Sequence, residues 1–291
     1  MSLLVGSIAP STRRTYTRAQ QVLVDFLSQF GFCEVLPIPP IIIAMFVAHL
    51  HKCSYAASTV LTYMSAVSFL HKLHNVPDPV HTFIVQKAVA GVQKAHPQFD
   101  LRLPITLPIL RRITDALDHC SLTVYQKAMY KSMFLLAFAA FLRVGELSVS
   151  NNNTANVLKL DNVMRSHDTG GLKLVFQNFK HSQGRQACID IERQDNVHCP
   201  VQSLLNYLEK RAAFKSVFLY CWSNGKPVSR RTFSQILKST LMHVGLNPTI
   251  YTAHSFRIGA ACHAVSRGYS DAQIREMGRW QSDAFKKYIR M

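Results

Sequence analysis

The run Met133–Leu142 is apolar at every position, and Lys131 and Arg143 stand on either side of it. A helix that is apolar all round belongs inside a packed core. The run is also far short of the roughly 20 residues that a bilayer crossing needs. Ile41–Ala48, the other long apolar run, is shorter still. The chain therefore reads as core-forming, with no membrane span. Its 291 residues suffice for two compact domains or one large one, and a hydrophobic content of 48% argues against global disorder.

The start of the chain lacks a basic stretch followed by a long apolar one, so no secretory signal is expected. Seven cysteines are scattered along the sequence without a CxxC pair, which points to reduced thiols inside a cell. His49 and Cys53, like His71 and His74, are spaced to share a helix face. No second pair completes a tetrahedral set, so no metal is expected and these histidines read as solvated or hydrogen-bonded. Neither GxxxxGK[ST] nor GxGxxG occurs, so no nucleotide cofactor is expected.

The formal net charge is +17, which favours a polyanionic partner, nucleic acid or an anionic membrane surface. The charge is uneven. Residues 1–100 carry seven Lys/Arg against four Asp/Glu, whereas residues 101–291 carry 26 against 12. The stronger polyanion contact is expected in the second part.

Apolar periodicity and stop signals predict helices over about 11–31, 37–52, 57–73 and 80–95, a four-helix unit with short connections. Residues 96–108 contain three prolines and read as an extended linker. Helices are expected at about 108–118 and 123–143. Three β-compatible runs follow, Val157–Met164, Leu172–Phe179 and Gln186–Ile191, separated by turn-like segments and read as a small antiparallel sheet. Helices are then expected at about 200–213, 229–244, 254–267, 271–278 and 281–289. The fold class is mainly α with a small antiparallel β-sheet.

The strongest local signal is His254-Ser-Phe-Arg257, whose spacing on a helix lets an imidazole and a guanidinium converge on one phosphate. Gly278-Arg-Trp280 follows, with Tyr288 eight residues after the tryptophan. Upstream, Phe141-Leu-Arg143-Val-Gly-Glu146 closes the apolar run with a charged pair, and a buried Arg is rare unless paired or functional. Lys180 sits in the turn of the inferred hairpin.

With these residues the chain resembles the tyrosine recombinase/integrase family, over roughly residues 8–291. The run His254–Arg290 is similar to the end of that family's catalytic domain, above all in its Cre-like branch and in the integrases of eukaryotic tyrosine-recombinase mobile elements. The resemblance implies a helical core-binding (SAM-like) DNA-binding domain at 8–96, a linker at 97–107 and a catalytic domain at 108–291. It implies double-stranded DNA as partner, a homo-oligomer that in the family is a tetramer on DNA, and a place inside the cell with DNA, the nucleus if the host is eukaryotic.

The implied reaction is strand exchange by transesterification. Tyr288 would attack a scissile phosphate, giving a 3′-phosphotyrosyl link and a free 5′-hydroxyl. Arg143 and Arg257 would clamp the non-bridging oxygens. His254 would hydrogen-bond the phosphate and take the tyrosine proton. Trp280 would donate its indole N–H where many members of the family have His. Lys180 would be the general acid for the leaving 5′-oxygen, and Glu146 would orient the first arginine from behind. The covalent ester conserves bond energy, so neither ATP nor a metal is needed.

Each assignment has a plainer rival. Arg143 can be a structural helix-terminal residue and Glu146 an ordinary ion-pair partner. Tyr251 and Tyr269 compete with Tyr288, and Lys173 with Lys180. Two other functions share the motifs: a domesticated DNA-binding protein without strand exchange, and type IB topoisomerase-like relaxation. The sequence ends three residues after Tyr288, where the family commonly continues into a helix that docks on a neighbouring protomer. That departure bears on tetramer formation more than on chemistry.

Overall fold

The structure is a computed structural model that describes residues 6–97, 100–150, 154–166, 170–177, 179 and 185–289. The chain divides into two compact units, residues 1–100 and 101–291.

The first unit is built on α1 (Pro10–Gln29), α2 (Pro40–Lys52), α3 (Ala57–Leu73) and α4 (Phe83–Ala95). α1 and α2 each open on a proline, whose missing N–H costs nothing in a first helical turn. Leu23, Phe26 and Leu27 of α1 meet Phe46, Val47 and Leu50 of α2 and Val60, Met64 and Val67 of α3 in one core. His71 is wholly buried among them. Its Nδ1 donates to the Val67 carbonyl at 2.8 Å, and its Nε2 accepts from the Ile38 N–H at 3.1 Å. One neutral tautomer satisfies both bonds, so His71 is a structural core residue. His74 bonds the Leu70 carbonyl at 2.9 Å.

The second unit holds α5 (Leu107–Asp115), α6 (Val124–Ala139), the single turn α7 (Val144–Leu147), and strands β1 (Val163–Arg165), β2 (Leu172–Phe176) and β3 (Ala187–Ile191). After them come α8 (Pro200–Arg211), α9 (Arg230–His243), α10 (Ser255–Ser266), α11 (Asp271–Met277) and a 3₁₀ helix at Asp283–Tyr288. α6 begins at a Thr123–Gln126 capping box, which satisfies two N-terminal N–H groups reciprocally. It runs through the core against α5, α8 and α10. Residues 101–106, expected as linker, lie along this unit: Leu103 N–H donates to the Ile250 carbonyl and Ile105 N–H to that of Ser255. Gly259 in α10 permits this approach, because a methyl there would overlap the Ile105 carbonyl.

The sheet is antiparallel in the order β1-β2-β3, with Leu172 opposite Ile191 and Phe176 opposite Ala187. Leu172, Leu174 and Phe176 face the core, while Lys173 and Val175 alternate to the other side. Lys173 pairs with Asp190 across the strands at 3.6 Å.

Three expected elements are corrected. The first strand begins at Val163, not Val157. Residues 157–160 do pair, but with a different segment: Leu160 N–H donates to the Val217 carbonyl, Leu219 N–H to that of Leu158, and Leu158 N–H to that of Glu146. The helix expected over 123–143 stops at Ala139 because Phe141 turns into the left-handed region, with φ 50°. The helix expected over 281–289 is a 3₁₀ helix. Among the described residues, no helix is long and apolar enough to cross a membrane.

Candidate active site

The site is built where two helices of the second unit end in the same way. After α6, Phe141 N–H bonds the Phe138 carbonyl and Leu142 N–H that of Ala137. After α11, Arg279 N–H bonds the Glu276 carbonyl and Trp280 N–H that of Arg275. Both are Schellman endings, which normally place glycine at the left-handed position. Here Phe141 (φ 50°) and Arg279 (φ 52°) occupy it. A side chain in that conformation costs about 1–2 kcal/mol, so the surroundings must hold it.

Arg257 is the group that joins the two endings. It lies in the first turns of α10 and is 1% exposed. Its Nη1 donates to the Phe141 carbonyl and its Nη2 to the Gly278 carbonyl. Helix C-termini carry partial negative charge and unpaired carbonyls, so the buried guanidinium is met by peptide dipoles. Its carbon lies 4.0 Å from the Trp280 ring centroid, a cation–π geometry. Burial first, then the positive Arg143 and Arg279, push its pKa down to about 9.

Glu146 sits in α7 with 2% exposure, between two other arginines. Its Oε2 accepts from the Arg143 backbone N–H and from Arg279 Nη2, both at 2.8 Å. Its Oε1 accepts from Arg143 Nη1 at 3.3 Å. Arg143 caps α7 and keeps a quarter of its side chain exposed. It therefore stands at the start of a new helical turn, beyond the end of the apolar helix.

His254, Trp280 and Tyr288 close the group. The His254 and Tyr288 ring centroids are 4.9 Å apart, and those of Trp280 and Tyr288 are 5.5 Å apart. Phe141 meets the Trp280 ring edge-on at 6.0 Å. Gly278 must lack a side chain, because a methyl there would overlap the indole. The Tyr288 carbonyl accepts from Cys262 Sγ at 3.4 Å. Lys286 bridges Asp271 and Asp283 at 3.2 and 3.3 Å, tying the tyrosine-bearing 3₁₀ helix to α11. Three guanidiniums around one carboxylate leave the centre positive, beside a half-buried phenol. Such a centre attracts an anion.

The family model described as the phage integrase family matches residues 109–290, which contain every one of these side chains. The chain belongs to the phage integrase family. It is a tyrosine recombinase.

Solved structures of the family share the recombinase's mainly helical fold with its small antiparallel sheet. XerH site-specific recombinase, in a post-cleavage complex with palindromic difH substrate, matches at 13% identity over 95% of this chain and 75% of that one, with a TM-score of 0.70. The Tn1549 transposon integrase in complex with transposon right end DNA matches at 14% identity over 98% and 91%, with a TM-score of 0.68. A lambda integrase dimer bound to a COC′ core site matches at 16% identity over 97% and 89%, with a TM-score of 0.65. No curated protein matches the chain.

Of the residues singled out in the recombinase's sequence, Arg143, Glu146, His254, Arg257, Trp280 and Tyr288 come together in this cluster. Lys180 lies outside the described residues. Its rival Lys173 is held on β2 by Asp190. The competing Tyr251 is buried in the core, and Tyr269 is exposed. Arg279 is a member of the cluster to which the sequence assigned no role. The one signal for it was a cation directly after Gly278, where a helix stop was expected.

Proposed function

We propose that the chain breaks and rejoins duplex DNA at specific sites through a 3′-phosphotyrosyl intermediate on Tyr288. The observation that carries this reading is the packing of His254 and Trp280 against one phenol, with Arg257 on the Trp280 ring and the charge of Arg143 acting on Arg257.

A phenol in water ionises only near about pH 10, so it is a weak nucleophile until its proton leaves. His254 takes that proton as the Tyr288 oxygen bonds to phosphorus. The bond from phosphorus to the 5′-oxygen breaks, and Lys180 supplies the proton to that oxygen. Charge grows on the non-bridging oxygens, where Arg143 and the dipole-held Arg257 oppose it. A preset cation contributes most here because it needs no reorganisation during the reaction. Attack by a second strand's 5′-hydroxyl reverses the steps and frees the tyrosine.

Residues 8–96 act as a DNA-binding domain and residues 108–291 as the catalytic domain. The +17 net charge supports phosphate contacts that dominate affinity and weaken with salt. The chain works as a homo-oligomer on DNA and serves a mobile element. The Tn1549 integrase and lambda integrase dimer among its structural relatives support these two readings.

The test is covalent capture. Nicked duplexes of randomised sequence are incubated with the protein, and DNA that stays attached after denaturation is sequenced. The expected result is an adduct enriched in one sequence. An absence of adduct sinks strand transfer, and relaxation of any supercoiled plasmid without sequence enrichment favours a topoisomerase.

A further inference from the structure

A buried cation without a task in the proposed reaction stands beside Glu146. Arg279 has a side chain 2% exposed, and the steps above give it no part. It occupies a left-handed backbone position that favours glycine. Its guanidinium is gripped on several sides. Nη2 bonds Glu146 Oε2 at 2.8 Å, Nη1 bonds the Ala140 carbonyl at 3.3 Å, and the carbon lies 3.9 Å from the Phe176 ring centroid. Burying a cation this deeply is costly unless its partner is fixed. The same carboxylate that holds Arg279 also holds Arg143 by backbone and side chain.

We propose that Arg279 is a positioning residue for strand cleavage: through Glu146 it fixes the partly exposed Arg143 and keeps that arginine's charge available to the phosphate. This rests on the functional reading above. A Glu146 without Arg279 would neutralise Arg143, its other ion-pair partner. With Arg279 bonded behind it, the carboxylate is already balanced, and Arg143 presents a net positive charge outward. Glu146 Oε2 is shared between Arg279 and the Arg143 N–H, so the carboxylate cannot rotate without losing both bonds. β2 also enters the active site here, because Phe176 supplies the ring on which Arg279 rests.

The experiment measures single-turnover adduct formation on a nicked duplex recovered by covalent capture, with DNA affinity measured separately. Arg279→Met is expected to slow cleavage at saturating DNA by about 10- to 100-fold while changing the dissociation constant less than about threefold. Arg279→Lys should recover part of the rate. In a Glu146→Gln background, Arg279→Met should add less than about a threefold further loss, because the two residues act as one unit. Where Arg279→Met does not fold, the same comparison is made with Arg279→Lys in both backgrounds. Equal losses in the two backgrounds, or an unchanged rate for Arg279→Met, overturn the inference while leaving strand transfer intact. A wild-type chain that forms no adduct overturns the functional reading, and this inference with it.

Discussion

The Arg257 guanidinium carbon lies 4.0 Å from the Trp280 ring centroid, and that indole also packs on Tyr288. The tryptophan therefore links an anion-binding cation to the proposed nucleophile. Its role divides into ring packing and the indole N–H. Trp280→Phe keeps a ring under Arg257 and loses the N–H; Trp280→Ala loses both. Cation–π contacts of this kind contribute about 0.5–2 kcal/mol. Single-turnover cleavage is expected to fall by about tenfold for Phe and by about 100-fold or more for Ala. Equal losses would assign the whole effect to the N–H.

Arg257 predicts an anion affinity with a set pH dependence. Burial and the neighbouring Arg143 and Arg279 lower its pKa to about 9, and an oxyanion in the site would raise it again. Anion binding then requires a proton to be taken up once the free site has lost it. Sulfate or vanadate should raise the melting temperature of the protein, as any ligand of the native state does. By the sign of the shift, their affinity should be level below about pH 8 and fall as pH rises through about 9. Titration calorimetry across that range reads it directly. Affinity that climbs above pH 9 would contradict the assignment, as would anion stabilisation undiminished in Arg257→Met.

Gly259 predicts a stability effect with no chemical part. Its α-carbon faces the Ile105 carbonyl where residues 101–106 cross α10. Gly259→Ala must push that segment away and break the Ile105–Ser255 backbone bond. Overpacking of this kind costs about 1–3 kcal/mol. Denaturant unfolding should show the midpoint of the second unit lowered, with the first unit's transition unmoved. A midpoint equal to wild type would show that the crossing is loose.

Much of the fold was legible because the apolar spacing of α1 and α3 and the unbroken apolar run in α6 are strong signals, and because Pro40 opens α2. The His254–Arg257 spacing and the Arg143–Glu146 pair were legible for the same reason: each lies within one helical turn or at its cap. Phe141 and Arg279 were not. The left-handed helix ending usually announces itself by glycine, and here the glycine is absent at one end and one residue early at the other. Val157–Leu160 was β-compatible, but composition cannot say which strand a segment pairs with, and it pairs with residues 217–219. Arg279's bond to Glu146 spans 133 residues, a contact that only the folded chain displays.

The proposed chemistry puts the covalent link on Tyr288. Its most direct test is digestion of the captured protein–DNA adduct and identification of the peptide that bears the nucleotide. The expected result is a 3′-phosphoryl nucleotide on Tyr288, and no adduct from Tyr288→Phe, in which only one hydroxyl is removed. A nucleotide on Tyr251 or Tyr269, or an adduct that survives Tyr288→Phe, would contradict it.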